Sequence, residues 1–401
     1  MKEFAYSEPC LDEEDKKAVL EVLNSKQLEF AYSEPCLDEE DKKAVLEVLN
    51  SKQLTQGKRS LLFEEALCEF LGVKHALVFN SATSALLTLY RNFSDFNADC
   101  NEIITTPISF VATANMLLES GYKPVFAEIK NDGNIDELAL EKLINERTKA
   151  IVSVDYAGKS VEIGSIQKLC KRHSLSFLSD SSHALGSEYQ NKKVGGFALA
   201  SVFSFHAIKP ITTAEGGAVV TNDGELYEKM KLFRSHGMLK KDFFEGEVKS
   251  IGHNFRLNEI QSALGLSQLK KAPLLMQKRE EIALVYDRIF KDNPYFTPLH
   301  PLLKDKSSNH LYPILMRQKF FTCKKLILEN LHKHGILAQV HYKPIYQYQL
   351  YQQLFNTAPL KSAEDFYRAE ISLPCHANLD LGSVQNIAHG VLKTFENLKV
   401  K

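Results

Sequence analysis

The sequence predicts an α/β protein: a large domain on a mainly parallel sheet with helices on both faces, followed by a smaller α/β domain. Three observations carry this. Between Glu102 and Asp180, short apolar runs alternate with helix-length amphipathic stretches, the pattern of a parallel sheet wound with crossover helices. Two more apolar runs, Val202 to Phe205 and Gly217 to Thr221, read as buried strands and enclose a lysine, Lys209. The chain has 401 residues, enough for two cores, and a long helical stretch from about Pro273 to Phe290 leads out of the first domain. The expected division is residues 29–272 for the large domain and 273–401 for the small one, with residues 1–28 set apart.

Those first residues are set apart because Glu3 to Leu28 and Glu29 to Leu54 are identical over 26 positions. Evolved repeats drift, and solenoids need several units, so a single perfect copy reads as a recent duplication or an artefact. Only the second copy runs into Thr55-Gln56-Gly57. Each copy holds an amphipathic helix, Leu37 to Leu49 in the second, with acids in its first turn. Leu61 to Phe70 is a helix stopped by Gly72. His75 to Leu89 gives a strand followed at once by a helix rich in small residues, with Ser81, Thr83 and Ser84 at its start. Such a start offers free N–H groups and the positive dipole end to an anion, although taken alone it equally reads as N-capping by Ser81 or Thr83.

Glu102 to Thr106 is a strand ended by Pro107, and Phe110 to Ser120 a helix. The alternation continues through Val125 to Ile129, Glu137 to Ile144, Ala150 to Val154, Ile163 to His173 and Ser176 to Asp180. Asn258 caps a helix with the apolar spacing Ile260, Leu264, Leu266 and Leu269. In the second domain, Lys324 to Gly335 reads as a helix and Leu337 to Val340 as a strand.

Composition narrows the function classes. Lys+Arg is 49 against Asp+Glu 50, so no basic surplus argues for nucleic acid or an anionic membrane. No apolar run has the length of a membrane span, and the acidic N-terminus lacks the basic-then-apolar order of a signal peptide. The seven cysteines show no CxxC spacing, so neither a disulfide framework nor a metal site is expected, and the expected compartment is the cytoplasm. No GxGxxG follows a strand and no GxxxxGK[ST] occurs, which leaves dinucleotide and P-loop readings without their fingerprints.

Two residues stand out chemically. A lysine between two core strands, beside Pro210, Thr212 and Thr213, cannot lie on an ordinary solvated face. Burial disfavours its charged form and lowers its pKa, as an amine nucleophile requires, whereas a lone lysine at a strand end would more often snorkel to water. Asp180 ends a strand, and ligands of open α/β sheets sit beyond the carboxyl ends of strands; the plainer role of an Asp there is to cap the next segment.

The stretch FSFHAIKPITTAEGGAVVTND around Lys209 resembles the lysine segment of the DegT/DnrJ/EryC1/StrS family of pyridoxal-phosphate-dependent nucleotide-sugar aminotransferases. GHNFRLNEIQSALGLSQL from Gly252, QVHYKPIY from Gln339 and AEDFYRAEISLPCH near the end are similar to further blocks of that family, so the resemblance runs from about Tyr32 to nearly the C-terminus. It implies the fold type I architecture, with a mainly parallel seven-stranded sheet, and pyridoxal 5'-phosphate as cofactor. Lys209 would carry the cofactor and be the catalytic residue. Ala82, Thr83 and Ser204 would hold its phosphate, Phe110 would stack on its ring, and Asp180 would face the ring nitrogen. His183 falls near the ring hydroxyl, and Asn254 would reach the phosphate in the partner of a homodimer with shared sites. Tyr32, Lys52, Gln53, Leu54, Thr55, Gln339, Val340, His341, Tyr342 and Tyr367 match segments that contact the nucleotide-sugar.

By resemblance, the reaction is transamination of a UDP-linked 4-keto-6-deoxy amino sugar with glutamate as donor, in pseudaminic acid biosynthesis. Sugar dehydratases share the fold, but those known for dehydration carry histidine where Lys209 stands. A non-catalytic regulatory or binding homologue is the reading from another class, since fold alone does not imply function.

Overall fold

The computed structural model describes residues 11–24, 33–240, 244–300 and 305–398. The chain begins with α1 (Glu13–Asn24), α2 (Glu39–Ser51) and α3 (Lys58–Leu71). The large domain follows as β1 (His75–Phe79), α4 (Ala82–Asn92), β2 (Glu102–Thr105), α5 (Ala112–Glu119), β3 (Lys123–Phe126), β4 (Thr148–Val154), α6 (Ile163–His173) and β5 (Ser176–Asp180). A small hairpin, β6 (Glu188–Tyr189) and β7 (Lys192–Lys193), precedes β8 (Ala200–Ser204), β9 (Gly217–Thr221) and α7 (Gly224–Arg234). A second hairpin, β10 (Met238–Lys240) and β11 (Gly246–Val248), leads to the long helix α8 (Glu259–Ile289). The small domain adds β12 (Phe296–Pro298), β13 (Tyr312–Met316), α9 (Lys324–Lys333), α10 (Gln349–Leu354), α11 (Lys361–Ala369), β14 (Glu370–Leu373) and α12 (Leu381–Glu396).

The main sheet has seven strands in the order β1-β9-β8-β5-β4-β2-β3. All neighbours run parallel except at β9, which is antiparallel to both β1 and β8. Alternate residues of each strand go to opposite faces, and the sequence supplies apolar side chains for both. Ile103, Val152, Leu178, Val202 and Val219 join Leu86 and Leu89 of α4 in one core. On the other face, Phe203 and Val220 pack with Phe63 of α3 and Leu269 of α8, while Ile104, Ile151 and Phe177 meet Ile166 of α6. The small domain has its own core, in which Ile314, Ile371 and Val391 surround Tyr286 and Phe290 at the end of the long helix.

Three elements differ from the sequence expectation. Glu137 to Ile144 forms only a single turn of 3₁₀ helix, Glu141–Leu143. The Asp136 carboxylate takes the N–H of Leu138, a local turn that competes with helix initiation. Leu337 to Val340 is not a strand: only Gln339 pairs, as an isolated bridge to Ser372, because the next free donor, the N–H of His341, is taken by the Glu370 carboxylate. The helices capped by Asn258 and running from Pro273 are one helix of 31 residues with Pro273 inside it. Its first half belongs to the large-domain core through Leu269 and Ala272, its second to the small-domain core through Ile282 and Tyr286.

The two N-terminal copies share local structure and differ in packing. Each helix carries the same reciprocal Asp–Asp capping pair, Asp12 with Asp15 and Asp38 with Asp41. The second copy is seated on α8: Asp41 is fully buried and accepts from Gln268 Nε2 and from Lys271 Nζ, and Val45 and Leu49 pack on Leu264. It is pinned at both ends. Ser33 Oγ donates to the carbonyl of Ile208 in the lysine loop, and the Leu54 carbonyl accepts from the N–H of Glu259. Gly57 leaves no room for a side chain there, since a Cβ would lie 2.5 Å from Glu259 Oε2. In the first copy, α1 buries none of its residues fully; Leu11, Val19 and Leu23 rest partly covered beside the second copy.

Candidate active site

The carboxyl ends of β5 and β8, the start of α4 and the loop before β9 enclose a cavity of about 340 Å³. Ala82, Thr83, Phe110, Asp180, His183, Ser204, Lys209 and Tyr342 all line it. Eight positions spread over 260 residues of chain thus meet in one place.

Lys209 sits in the loop between β8 and β9, with its amine 3.3 Å from Nε2 of His310. Burial disfavours the ammonium, the Arg279 guanidinium adds repulsion and Asp180 opposes both; the result is a pKa lowered to about 7. A substantial share of the amine is therefore neutral near pH 7, the form that can attack a carbonyl or accept a proton.

Asp180 closes β5 and is 5% exposed, and its two oxygens are held from opposite sides. Thr113 Oγ1 of α5 donates to Oδ2 at 2.7 Å, while the hydroxyl and N–H of Ser182 donate to Oδ1 at 2.5 and 3.2 Å. Behind it lies a second buried acid, Asp155, pushed up to about 6 by burial despite hydrogen bonds from Ser181, Val161 and Ser179.

The imidazoles around the amine are neutral. Burial first, and the charge of Lys209 second, lower His183 and His310 well below the usual imidazole value and bring His341 to about 3. His183 Nε2 lies 3.2 Å from the Tyr342 hydroxyl. His341 is gripped at three points: its N–H by Glu370, its Nδ1 by Ser372 Oγ at 2.8 Å and its carbonyl by Tyr156 OH at 2.6 Å. Phe110 is 59% exposed just before α5, its ring 6.5 Å from that of Tyr342, so it serves the cavity and not the core.

The remaining expected residues lie outside this wall. Lys52 ends α2 in the left-handed region, Leu54 anchors to Glu259, and Gln53 and Thr55 lie in the same link to α3. Gln339 bridges Ser372, with Val340 between it and His341. Tyr367 is on α11, where its ring meets the Lys324 ammonium at 4.8 Å. Asn254 bridges Ser235, next to Asn80. Tyr32 lies outside the described residues.

Sequence reading missed Thr113, Ser182 and His310. Ser182 lies two residues after Asp180 and could have been read as a donor to it. Thr113 sits one helical turn beyond Phe110, a weaker cue. His310, 101 residues from Lys209 in the chain, left no local signal.

Whether these residues suit pyridoxal phosphate can be tested on the protein itself. The first N–H groups of α4 lack intrahelical acceptors and face the cavity through Ala82 and Thr83, an anion site. β9 runs so close beneath that a Cβ on Gly217 would be 2.6 Å from both N and Cα of Ala82, which keeps the helix start open to a phosphate. A fixed carboxylate and a partly neutral amine complete the donor set. The residues fit the group.

The DegT/DnrJ/EryC1/StrS aminotransferase family matches residues 35–392. The chain belongs to this family. It is 93% identical over 401 residues, all of both chains, to the UDP-4-amino-4,6-dideoxy-N-acetyl-β-L-altrosamine transaminase of Helicobacter pylori. Among solved structures, Helicobacter pylori PseC, an aminotransferase involved in the biosynthesis of pseudoaminic acid, superposes with a TM-score of 0.92 at 94% identity, covering 92% of this chain and 100% of its own. The PLP form of Spr1654 from Streptococcus pneumoniae, described as a sugar aminotransferase, gives 0.85 at 28% identity, covering 92% and 99%. As an aminotransferase with Lys209 in place, the chain departs from the dehydratase and binding-protein alternatives.

Proposed function

We propose that the protein transaminates a UDP-linked 4-keto-6-deoxy amino sugar with glutamate as donor, in pseudaminic acid biosynthesis. The observation that carries this is the pairing of a partly neutral Lys209 amine with a rigidly held Asp180 in one cavity, in a chain 93% identical to a transaminase of that sugar. The cofactor is pyridoxal phosphate, which supplies an electron sink for charge left at the carbon bearing the amine. Asp180 keeps a proton at the ring nitrogen, and Thr113 and Ser182 fix the direction of its lone pairs. Ala82, Thr83 and Ser204 hold the phosphate, and Phe110 covers one ring face. Lys209 takes the proton from the α-carbon of glutamate and, in the second half-reaction, delivers one to the sugar carbon that receives the amine. His183 lies near the cofactor's ring hydroxyl, and the segments at Lys52–Thr55, Gln339–Tyr342 and Tyr367, with Tyr32, contact the nucleotide-sugar.

The same reading makes the enzyme a cytoplasmic homodimer in which Asn254 serves the partner's phosphate. Apolar side chains left exposed near Asn254 support the dimer: Phe244 at 82%, Val248 at 66% and Ile251 at 83%. Residues 1–28 stay outside the working enzyme. The test is a visible absorbance band bleached by glutamate and restored by the keto-sugar. Lys209→Ala should lose the borohydride-reducible link and all turnover; an active alanine variant would end the proposal.

A further inference from the structure

His310 has no part in the reading so far, yet it is the side chain in contact with the reacting amine. It lies between β12 and β13 and is 1% exposed. The Lys209 Nζ to His310 Nε2 distance of 3.3 Å is a hydrogen bond, in which the amine donates when the neutral imidazole carries its proton on Nδ1. The ring is held in place. Its backbone carbonyl accepts from Arg279 of α8 at 3.4 Å, and its face packs on His183 with centroids 4.4 Å apart. Its Nδ1 has no hydrogen-bond partner among the described residues.

We propose that His310 receives the Lys209 amine whenever that amine is not joined to the cofactor, and so fixes where the lysine waits between half-reactions. The inference rests on the transaminase reading. An unheld lysine would sample several rotamers in the cavity; a fixed acceptor at one end keeps the amine oriented and in reach. No proton needs to leave the lysine for this: the N–H stays on Nζ, and the imidazole remains neutral. The acceptor also favours the ammonium over the amine, because a hydrogen bond from a charged donor is the stronger one. His310 thus partly offsets the burial that lowers Lys209. The charged and titratable groups that face the pair are Asp180 from β5, His183 after it, Arg279 from α8, and His341 with Tyr342 from the segment after α9.

The test uses the full chain freed of cofactor. Capture of pyridoxal by Lys209 is followed by absorbance across pH, and the link is trapped with borohydride and mapped by mass spectrometry. His310→Phe fills the same space without a lone pair and should lower the apparent pKa of Lys209 by about one unit, a tenfold change in its protonation equilibrium, while slowing capture at the high-pH plateau. His310→Gln restores an acceptor and should restore both values toward those of the unmodified protein. An unchanged pKa and plateau in His310→Phe would overturn the proposal, as would failure of a folded glutamine variant to restore either. Mapping of the wild-type link to a lysine other than Lys209 would instead sink the transaminase reading beneath it.

Discussion

Val22 and Val48 occupy the same position in two identical segments, yet Val22 is 73% exposed and Val48 only 3%. The 26-residue segments around them have the same sequence, and both helices open with the same reciprocal Asp–Asp cap. Everything local is matched, so the difference is purely tertiary: one helix found the surface of α8 and the other found it occupied. Tethering through Leu54 to Glu259 decides which copy docks, since a short link gives a far higher effective concentration than a 26-residue detour.

The pair is therefore an internal control for burial. Val48→Ala should lower unfolding stability by about 1–3 kcal/mol, the transfer of a buried aliphatic side chain plus the cavity it leaves. Val22→Ala should stay within about 0.5 kcal/mol. Urea denaturation of the two variants gives the comparison, and equal losses would mean that α1 is as firmly seated as α2.

Asp180 should be separable from its supports. Asp180→Asn keeps the shape and the contact with Thr113 but removes the negative charge, so cofactor should still bind while kcat falls by about two orders of magnitude or more. Thr113→Val removes one of three donors and leaves the charge, so about tenfold is expected, from the loss of a hydrogen bond to a charged group. Steady-state kinetics with cofactor occupancy measured by absorbance distinguishes them; Thr113→Val falling as far as Asp180→Asn would make the hydroxyl, and not the charge, the essential element.

Stability should fall on the alkaline side through His300. Burial alone would lower this imidazole, but the hydrogen bonds it donates to the carboxylates of Asp287 at 2.5 Å and Glu280 at 3.2 Å outweigh it and raise the pKa to about 9. A folded-state value above the unfolded one means that the stabilisation is complete below about 6.5 and is lost as pH rises through 9. Thermal melts from pH 6 to 9.5 should show this decline, and His300→Asn should flatten it. A variant with the same slope would assign the decline to other groups.

The sheet and the cavity were legible because their signals are local. Asp180 and Ser204 end strands whose apolar runs are plain in the sequence, Lys209 lies in the loop between two such strands, and Ala82 and Thr83 open a helix directly after a strand. What the sequence concealed depends on long-range competition. The missing strand at Leu337 to Val340 is lost to a carboxylate 29 residues onward in the chain, and the 3₁₀ turn near Glu141 to one aspartate's preference for its own backbone. His310 lies 101 residues along the chain from the lysine it meets, so no spacing rule could join them. The helical stretch expected from about Pro273 begins instead at Glu259, and the surrounding cores hold the helix through the proline.

That uninterrupted helix changes how the molecule can be taken apart and rebuilt. Residues 259–289 form one rod whose two ends are cast into different cores, so a cut at 272 would strip each fragment of part of its own interior. Chimaeras that exchange small domains between relatives should join before Asn258, carrying the whole rod with the graft. Such a transplant also carries His310 and Arg279 together, and with them the imidazole's placement over a lysine supplied by the recipient.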